Sequence, residues 1–292
     1  MSKDNPKMNE FFSGSWIHIS DEEFKLLRDL VYNNIGINLT EEKRNLLMGR
    51  LQKILRARNF NTFRDYYSFV ISDKSGEALS ELANSIATNH TFFYREKDHF
   101  EFFLKTALPE LVQMLNAQKS TDLRVWSAGC SSGEEPYNLI MLMMEYFGAL
   151  EYKKWNAGIL ATDISEKALA FAKNAIYSAD RVRYLPPEYK NKYFKKLPGD
   201  EWSVNDSIKK EVVFRRFNLM NEVFPFKKQF HTIFCRNVMI YFDEPTRIKL
   251  VNKFYDLLIP GGYLFIGHSE TLKRETHKFQ FVMPALYKKP MH

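Results

Sequence analysis

The sequence predicts a small all-α domain followed by a doubly wound α/β sheet that carries a short inserted antiparallel β-subdomain. Three observations lead there. Helix caps with 3.6-residue apolar periodicity recur between Ser20 and Ala87. Strand-like runs alternate with helical ones from Leu123 onward. A glycine-bearing turn, Gly129-Cys130-Ser131-Ser132-Gly133, joins the first of those strands to the first of those helices. A chain of 292 residues can hold a core domain of about 200 residues and a smaller module.

Residues 1–18 are polar, without the basic-then-apolar order of a signal peptide, and are expected to be a flexible tail. The helical domain spans 19–90. Ser20-Asp21-Glu22-Glu23 forms a capping-box pattern ahead of Phe24, Leu27, Leu30 and Val31, and Gly36 stops that helix. Thr40-Glu41-Glu42 opens a second helix with Leu46, Leu47, Leu51, Ile54 and Leu55 on its apolar stripe, which turns Arg50, Lys53 and Arg56 outward. Helices near 62–72 and 76–87 complete the domain, and residues 91–122 read as linker helices. In the α/β region, 123–292, strands are expected near 123–128, 157–162, 212–217, 231–235, 262–267 and 279–288. Gly261-Gly262 would turn a helix ending near Ile259 into the fifth strand. Between 177 and 211 the rhythm breaks: Pro186-Pro187, Pro198-Gly199-Asp200 and Asn205-Asp206-Ser207 are turn signals around Trp202-Ser203-Val204, a pattern that predicts an inserted hairpin.

Composition is that of a globular protein, 45% hydrophobic and 26% charged, and the longest apolar runs fall short of a membrane span. A cytoplasmic location without membrane insertion follows as the expectation. Cys130 and Cys235 lie in strand-end motifs without a partnering histidine cluster, so reduced, buried thiols are expected, with neither disulfide nor metal. The net charge of +7 is concentrated: Lys43, Arg44, Arg50, Lys53, Arg56, Arg58 and Arg64 follow one another with no acid between them. Such a face attracts nucleic acid, membranes and acidic proteins alike.

The chemistry is read from the turn. Gly129 and Gly133 allow a tight, closely approached backbone, and a helix starting near Glu134 aims its free N–H groups at the same place. The spacing fits neither the dinucleotide nor the phosphate-loop fingerprint. As a bare string it matches the serine-hydrolase elbow, with Ser131 as nucleophile and His268 as base, but two acids follow at once and would set negative charge beside the oxyanion hole. One β-α step later, Asp163 ends the second strand. There a carboxylate can accept from both hydroxyls of a ribose; capping of the helix near Ser165 is the alternative. A ribose without a phosphate loop suggests a nucleoside, and S-adenosylmethionine fits.

Three motifs in this order, Thr88-Asn89-His90-Thr91-Phe92-Phe93-Tyr94-Arg95-Glu96, Gly129 to Tyr137, and Phe234-Cys235-Arg236-Asn237-Val238-Met239-Ile240-Tyr241-Phe242, make the chain resemble the CheR-type chemoreceptor glutamate O-methyltransferases from about Asp21 to Lys288. The resemblance implies a class I methyltransferase-like sheet, S-adenosylmethionine as methyl donor with S-adenosylhomocysteine as product, and γ-glutamyl methyl esters on chemoreceptors. It also implies a β-subdomain that in some members holds a receptor tethering peptide; the hairpin tip here has no Gly-rich expansion. By the same comparison Asn89 and Thr91 would bind the amino-acid and sulfonium end, and Arg95 the cofactor carboxylate or the acceptor glutamate. Glu134 or Glu135 would meet the α-ammonium. Asn218 and Leu219 would frame the adenine, Cys235 and Arg236 would line the fourth-strand turn, and Tyr241 would position the acceptor. Asn237 and His268-Ser269-Glu270 would serve structurally. The outward basic face of Arg50, Lys53 and Arg56 would dock the acidic helices of a chemoreceptor, presenting a glutamate at Arg95 and Tyr241. The enzyme would work as a monomer. Other acceptors, nucleic acid among them, and a cofactor-binding signalling scaffold are the competing readings; nucleic acid is disfavoured because no acidic-Pro-Pro-aromatic signature follows the fourth strand.

Overall fold

A computed structural model describes residues 16–86 and 91–291. The chain divides into two compact units, one of Met1–Asn33 and Leu39–Ile86, the other of Asn34–Asn38 and Ala87–His292.

The first unit is helical. Its elements are α1 (Asp21–Ile35, whose last two residues belong to the second unit), α2 (Arg44–Ala57), α3 (Phe63–Ser72) and α4 (Glu77–Ile86). The expected capping box forms: Ser20 N donates to Glu23 and Glu23 N to Ser20 Oγ, at 2.9 and 3.2 Å. Thr62 and Asp65 repeat the device at α3. The α2 stripe buries Leu47, Leu51 and Leu55, but Leu46 is exposed and Gln52 takes an inward place. Gln52 is satisfied there by the backbone of Ile17, accepting from its N–H and donating to its carbonyl. Arg50 does not face outward as expected. Its guanidinium donates to the carbonyls of Ser85 and Ile86, the unpaired acceptors at the end of α4, while Lys53 and Arg56 are exposed.

The second unit begins, beyond Asn38, with α5 (Lys97–Phe102), a π-helical turn (Phe103–Ala107) and α6 (Leu108–Ala117). These are not linkers. Phe100, Phe103, Leu108, Leu111 and Leu115 are buried in the main core of the sheet, so the segment expected to connect domains is part of this one. There follow β1 (Asp122–Ala128), α7 (Glu134–Phe147), α8 (Ala149–Tyr152), β2 (Asn156–Asp163), α9 (Glu166–Asn174), β3 (Ile176–Ser178), α10 (Ala179–Val182), α11 (Pro187–Tyr193), β4 (Phe194–Leu197), β5 (Glu201–Val204), α12 (Asp206–Lys209), β6 (Val212–Arg216), β7 (Phe230–Cys235), α13 (Glu244–Leu257), β8 (Leu258–Ile266), β9 (Gln280–Met283) and β10 (Leu286–Lys288).

A seven-stranded sheet has the order β6-β2-β1-β7-β8-β10-β9, parallel from β6 to β8 and antiparallel beyond. The chain reverses its direction of travel between β1 and β7, which opens a crevice beyond their carboxyl ends. Alternate residues feed two cores: Val125, Phe234 and Phe265 one, Trp126, Ile233, Cys235 and Leu264 the other. Trp126, fully buried, donates Nε1–H to Thr162 Oγ1 at 2.9 Å, so its polar atom is satisfied inside the aromatic layer.

The inserted subdomain is a three-stranded antiparallel sheet, β3-β5-β4, with the expected hairpin between β4 and β5. Two strand expectations change. β8 starts at Leu258, taking Gly261-Gly262 into the strand, where the pairing with β7 shifts register between Phe230 and Thr232. Residues 279–288 form a hairpin, because Pro284-Ala285 turns the chain, with Ala285 at φ 61°.

Candidate functional site

The crevice at the ends of β1 and β7 is a cleft of about 1030 Å³, counting space open to solvent, which suits a ligand of nucleoside size. Its walls include Thr91, Arg95, Gly129, Glu135, Asp163, Asn218, Leu219, Arg236 and Tyr241, so most of the residues singled out in the sequence converge on one cavity. Asn89 lies outside the described residues.

The turn after β1 is built by backbone pairing. Gly129 N and Cys130 N both donate to Thr162 O, at 2.8 and 2.9 Å. Gly129 has φ +81°, and a Cβ there would lie 2.4 Å from Val238 Cγ2, so only glycine fits without displacing the opposite wall. Gly133 is at φ +92° as the N-cap of α7. It does not line the cleft; a Cβ there would meet Ala172 Cβ at 2.8 Å, and its part is close helix packing.

The two consecutive glutamates divide. Glu134 is fully buried, pairs with Arg181 of α10 and accepts from Ser132 Oγ at 2.7 Å; it is absent from the cleft wall, which corrects its candidacy as an ammonium ligand. Burial raises its pKa, opposed by Arg181 and Ser132. Ser132 also accepts from Tyr177 Oη through its carbonyl, so this cluster ties α7 to β3 and α10. Glu135, one residue on, lines the cleft, accepting from Ser127 Oγ at 2.6 Å and pairing with Arg236 Nη1 at 3.0 Å.

Asp163 is buried against the cleft. Its Oδ2 accepts from Ser131 N at 2.8 Å and its Oδ1 from Ser165 N at 2.9 Å. Burial raises its pKa and those amides oppose the rise. The helix-side role proposed as an alternative to ribose binding is thus present, with Ile164 N as a further donor to the same carboxylate, whose oxygens stand at the cavity wall. Ser165 itself caps α9 through Ala168 N.

Arg236, at the end of β7, is the electrostatic centre of the far wall. With a side chain only 3% exposed, it pairs with Glu96 at 3.1 Å and with Glu135 at 3.0 Å, donates to the Arg95 carbonyl, and lies 5.0 Å from the Phe100 ring centre. Burial raises the Glu96 pKa, but Arg236, Asn237 and the His268 N–H outweigh it and leave the carboxyl below its ordinary value. Arg95 sits between Tyr94 and Glu96, both left-handed at φ 61° and 57°, a kinked backbone that Arg236 grips by the carbonyl. The turn after Arg236 is held by buried Glu270, which accepts from the N–H groups of Gly267, Asn237 and Ile240. Asn237, expected to serve structurally, donates to Glu270 through its N–H and to Glu96 through its amide, and it also lines the cleft.

Tyr241 closes a 3-10 turn, and its carbonyl accepts from Asn38 N at 2.8 Å. Cys235 is fully buried in the core beneath and does not reach the cleft, because inward alternation along β7 points it at the α13 side; Cys130 does line the cleft. Both thiols are free. Asn218 lines the cleft with its amide donating to Asn34 O at 2.6 Å and its Oδ1 accepting from Met220 N.

Several wall residues escaped the sequence reading. Phe92 and Phe242 stand inside the quoted motifs without having been given a role, and Ile164 and Phe217 adjoin Asp163 and Asn218, so position along the chain was an available signal. Ile35 and Ile37 had none: they reach the cleft through an isolated bridge between Ile37 and Phe242. The hydrolase reading fails on geometry. Ser131 Oγ is buried without a hydrogen-bond partner, and His268 Nε2 lies 3.0 Å from Asp98 instead.

The cleft fits S-adenosylmethionine by donor chemistry: a glycine cradle a Cβ would fill, a carboxylate at the end of the second strand, a second carboxylate at Glu135 for an ammonium, and apolar faces at Phe217 and Leu219 for a base.

Comparison with known proteins agrees. Residues 89–287 match the family model described as CheR methyltransferase, SAM binding domain, and residues 22–87 match CheR methyltransferase, all-alpha domain. A chemotaxis protein methyltransferase of Borreliella burgdorferi is 46% identical over 275 residues, covering 94% of this chain and 96% of its own. A probable chemotaxis protein methyltransferase of Rhizobium etli is 36% identical, with 89% and 96% covered, and the chemotaxis protein methyltransferase of Escherichia coli is 32% identical, with 92% and 91% covered. The chain therefore belongs to the CheR methyltransferase family and is an S-adenosylmethionine-dependent methyltransferase with an all-α N-terminal domain.

Proposed function

We propose that the chain transfers the methyl group of S-adenosylmethionine to the side-chain carboxylate of glutamates on chemoreceptors, as a protein-glutamate O-methyltransferase. The observation that carries this is the convergence of Arg95, Glu135, Asp163 and Tyr241 on one cleft in a chain whose relatives are named chemotaxis methyltransferases.

When bound, S-adenosylmethionine supplies a methyl group on a positively charged sulfur, whose C–S bond electrons return to sulfur as the acceptor oxygen takes the carbon. A glutamate side chain has an unperturbed pKa of about 4.3 and is already an anion at neutral pH, so no general base is needed. This accounts for a cleft furnished with binding groups. Asp163 and Glu135 would hold the ribose and the α-ammonium. Arg95 would pair with the acceptor carboxylate, or with that of the amino-acid tail, through its fork of donors. Tyr241 would align the acceptor, and Phe92 and Phe242 would exclude water from it. Asn218 and Leu219 would frame the adenine, and Thr91, with Asn89, the sulfonium end. Lys53 and Arg56, exposed on α2, would meet the acidic receptor helices.

The test is transfer of labelled methyl from S-adenosylmethionine to receptor-rich membranes, followed by mild base. Volatile methanol, lost with Arg95→Ala, is the expected result. Tight cofactor binding with base-stable label, or none, would reject a carboxylate acceptor.

A further inference from the structure

Glu96, which pairs with Arg236 on the cleft wall, is also part of a cluster with His99 and His268, two side chains that methyl transfer does not use. His99, on α5, is 0% exposed, yet neither ring nitrogen has a hydrogen-bond partner. A buried imidazole left unsatisfied is costly and calls for an explanation. Its Nδ1 is 3.5 Å from Glu96 Oε2, outside hydrogen-bond geometry. The His268 ring meets it edge to face, with centroids 4.6 Å apart. One donor atom from each of Glu96, His99 and His268 lies within 4.8 Å of the other two.

We propose that Glu96, His99 and His268 form a binding site for a divalent transition ion of the zinc class. Two imidazoles and a carboxylate are the ligand set such an ion prefers; magnesium and calcium require mainly oxygen. Zinc–ligand bonds of about 2.0–2.2 Å place neighbouring ligand atoms roughly 3.3 Å apart, so the widest separation in the cluster must contract by up to about 1.5 Å. The half-exposed His268 ring can supply that movement. Asp98, whose Oδ2 is 3.0 Å from His268 Nε2, is at hand to orient that ring or to complete the shell. Occupancy joins the start of α5 to the turn after β8, and satisfies one of the two His99 nitrogens that the protein alone leaves without a partner.

The experiment uses the full chain stripped with chelator and titrated with Co²⁺, read by visible d–d absorption, then with Zn²⁺ in competition. One ion per chain is expected, with Zn²⁺ displacing Co²⁺, and His268→Ala should weaken binding at least tenfold while exposed His18→Ala leaves it unchanged. S-adenosylhomocysteine binding, measured on the same samples, reports whether each variant is folded; if His268→Ala is not, His268→Gln replaces it. No saturable Co²⁺ spectrum in the wild type, or equal Zn²⁺ affinity in the wild type and a folded His268 variant, would overturn the site whatever the fate of the methyl-transfer reading.

Discussion

Neutralising Glu134 and Glu135 separately should have opposite consequences, although they are adjacent in the chain. Glu135 faces the cleft, where Arg236 and Ser127 hold its carboxylate in place. If it accepts from the cofactor α-ammonium, Glu135→Gln loses one charge-assisted bond worth about 1.5–3 kcal/mol, which is roughly a 10- to 150-fold rise in Kd. Stability should fall less, because Arg236 keeps Glu96 as partner. Glu134 is wholly buried and paired with Arg181, which is one-third exposed. Breaking a fully buried pair costs about 3–5 kcal/mol, and water reaching Arg181 reduces that to about 2–3 kcal/mol in Glu134→Gln. Cofactor affinity of the folded protein should stay within about twofold of wild type, a difference under 0.5 kcal/mol. Isothermal titration with S-adenosylhomocysteine gives Kd, and urea unfolding gives stability. If Glu134→Gln weakens binding more than Glu135→Gln does, the assignment of the two carboxylates is wrong.

Gly129→Ala should destabilise the fold and weaken cofactor binding, since φ +81° alone costs about 1–2 kcal/mol and the new methyl would press on Val238; adding Val238→Ala should recover part of the loss in urea unfolding, and no recovery would discount the steric argument. Lys53→Glu with Arg56→Glu should raise the apparent KM for receptor and leave the cofactor Kd unchanged, whereas Arg50→Glu should lower the thermal midpoint, because Arg50 caps α4; equal midpoints for both variants would contradict that separation. His231 is buried, with Nδ1 accepting from Arg124 N at 2.9 Å, and burial with nearby Arg124 pushes its pKa from 6.5 to about 4. The folded state therefore takes up this proton later than the unfolded state as pH falls. Its contribution is full above pH 6.5 and is lost as pH falls toward 4, by up to about 3 kcal/mol. His231→Gln should flatten the slope of stability against pH in that window, and an unchanged slope would refute the linkage.

Local signals predicted the elements well where one interaction decides them: the Ser20–Glu23 capping box, the β1 turn and the β4–β5 hairpin all stand where their residues pointed. Tertiary competition decided the rest. Leu46 and Gln52 exchange places because Gln52 finds the Ile17 backbone, and Arg50 turns inward because α4 offers bare carbonyls. Within the site, period-two alternation puts Cys235 in the core, and a partner 47 residues downstream, Arg181, claims Glu134. β7 is buried throughout, so no apolar-polar alternation marks which side Cys235 takes, and no local signal announces Arg181. Phe92 and Phe242 lie within the motifs and Phe217 beside Asn218, but which of these aromatic side chains face the cleft depends on the strand ends and turns that hold them.

The most direct measurement is a crystal structure with S-adenosylhomocysteine bound. The ribose hydroxyls are expected on Asp163, the α-ammonium on Glu135 and the adenine between Phe217 and Leu219, with the sulfur facing Arg95 and Tyr241. A ligand reversed in the cleft, or seated away from Asp163 and Glu135, would contradict the account.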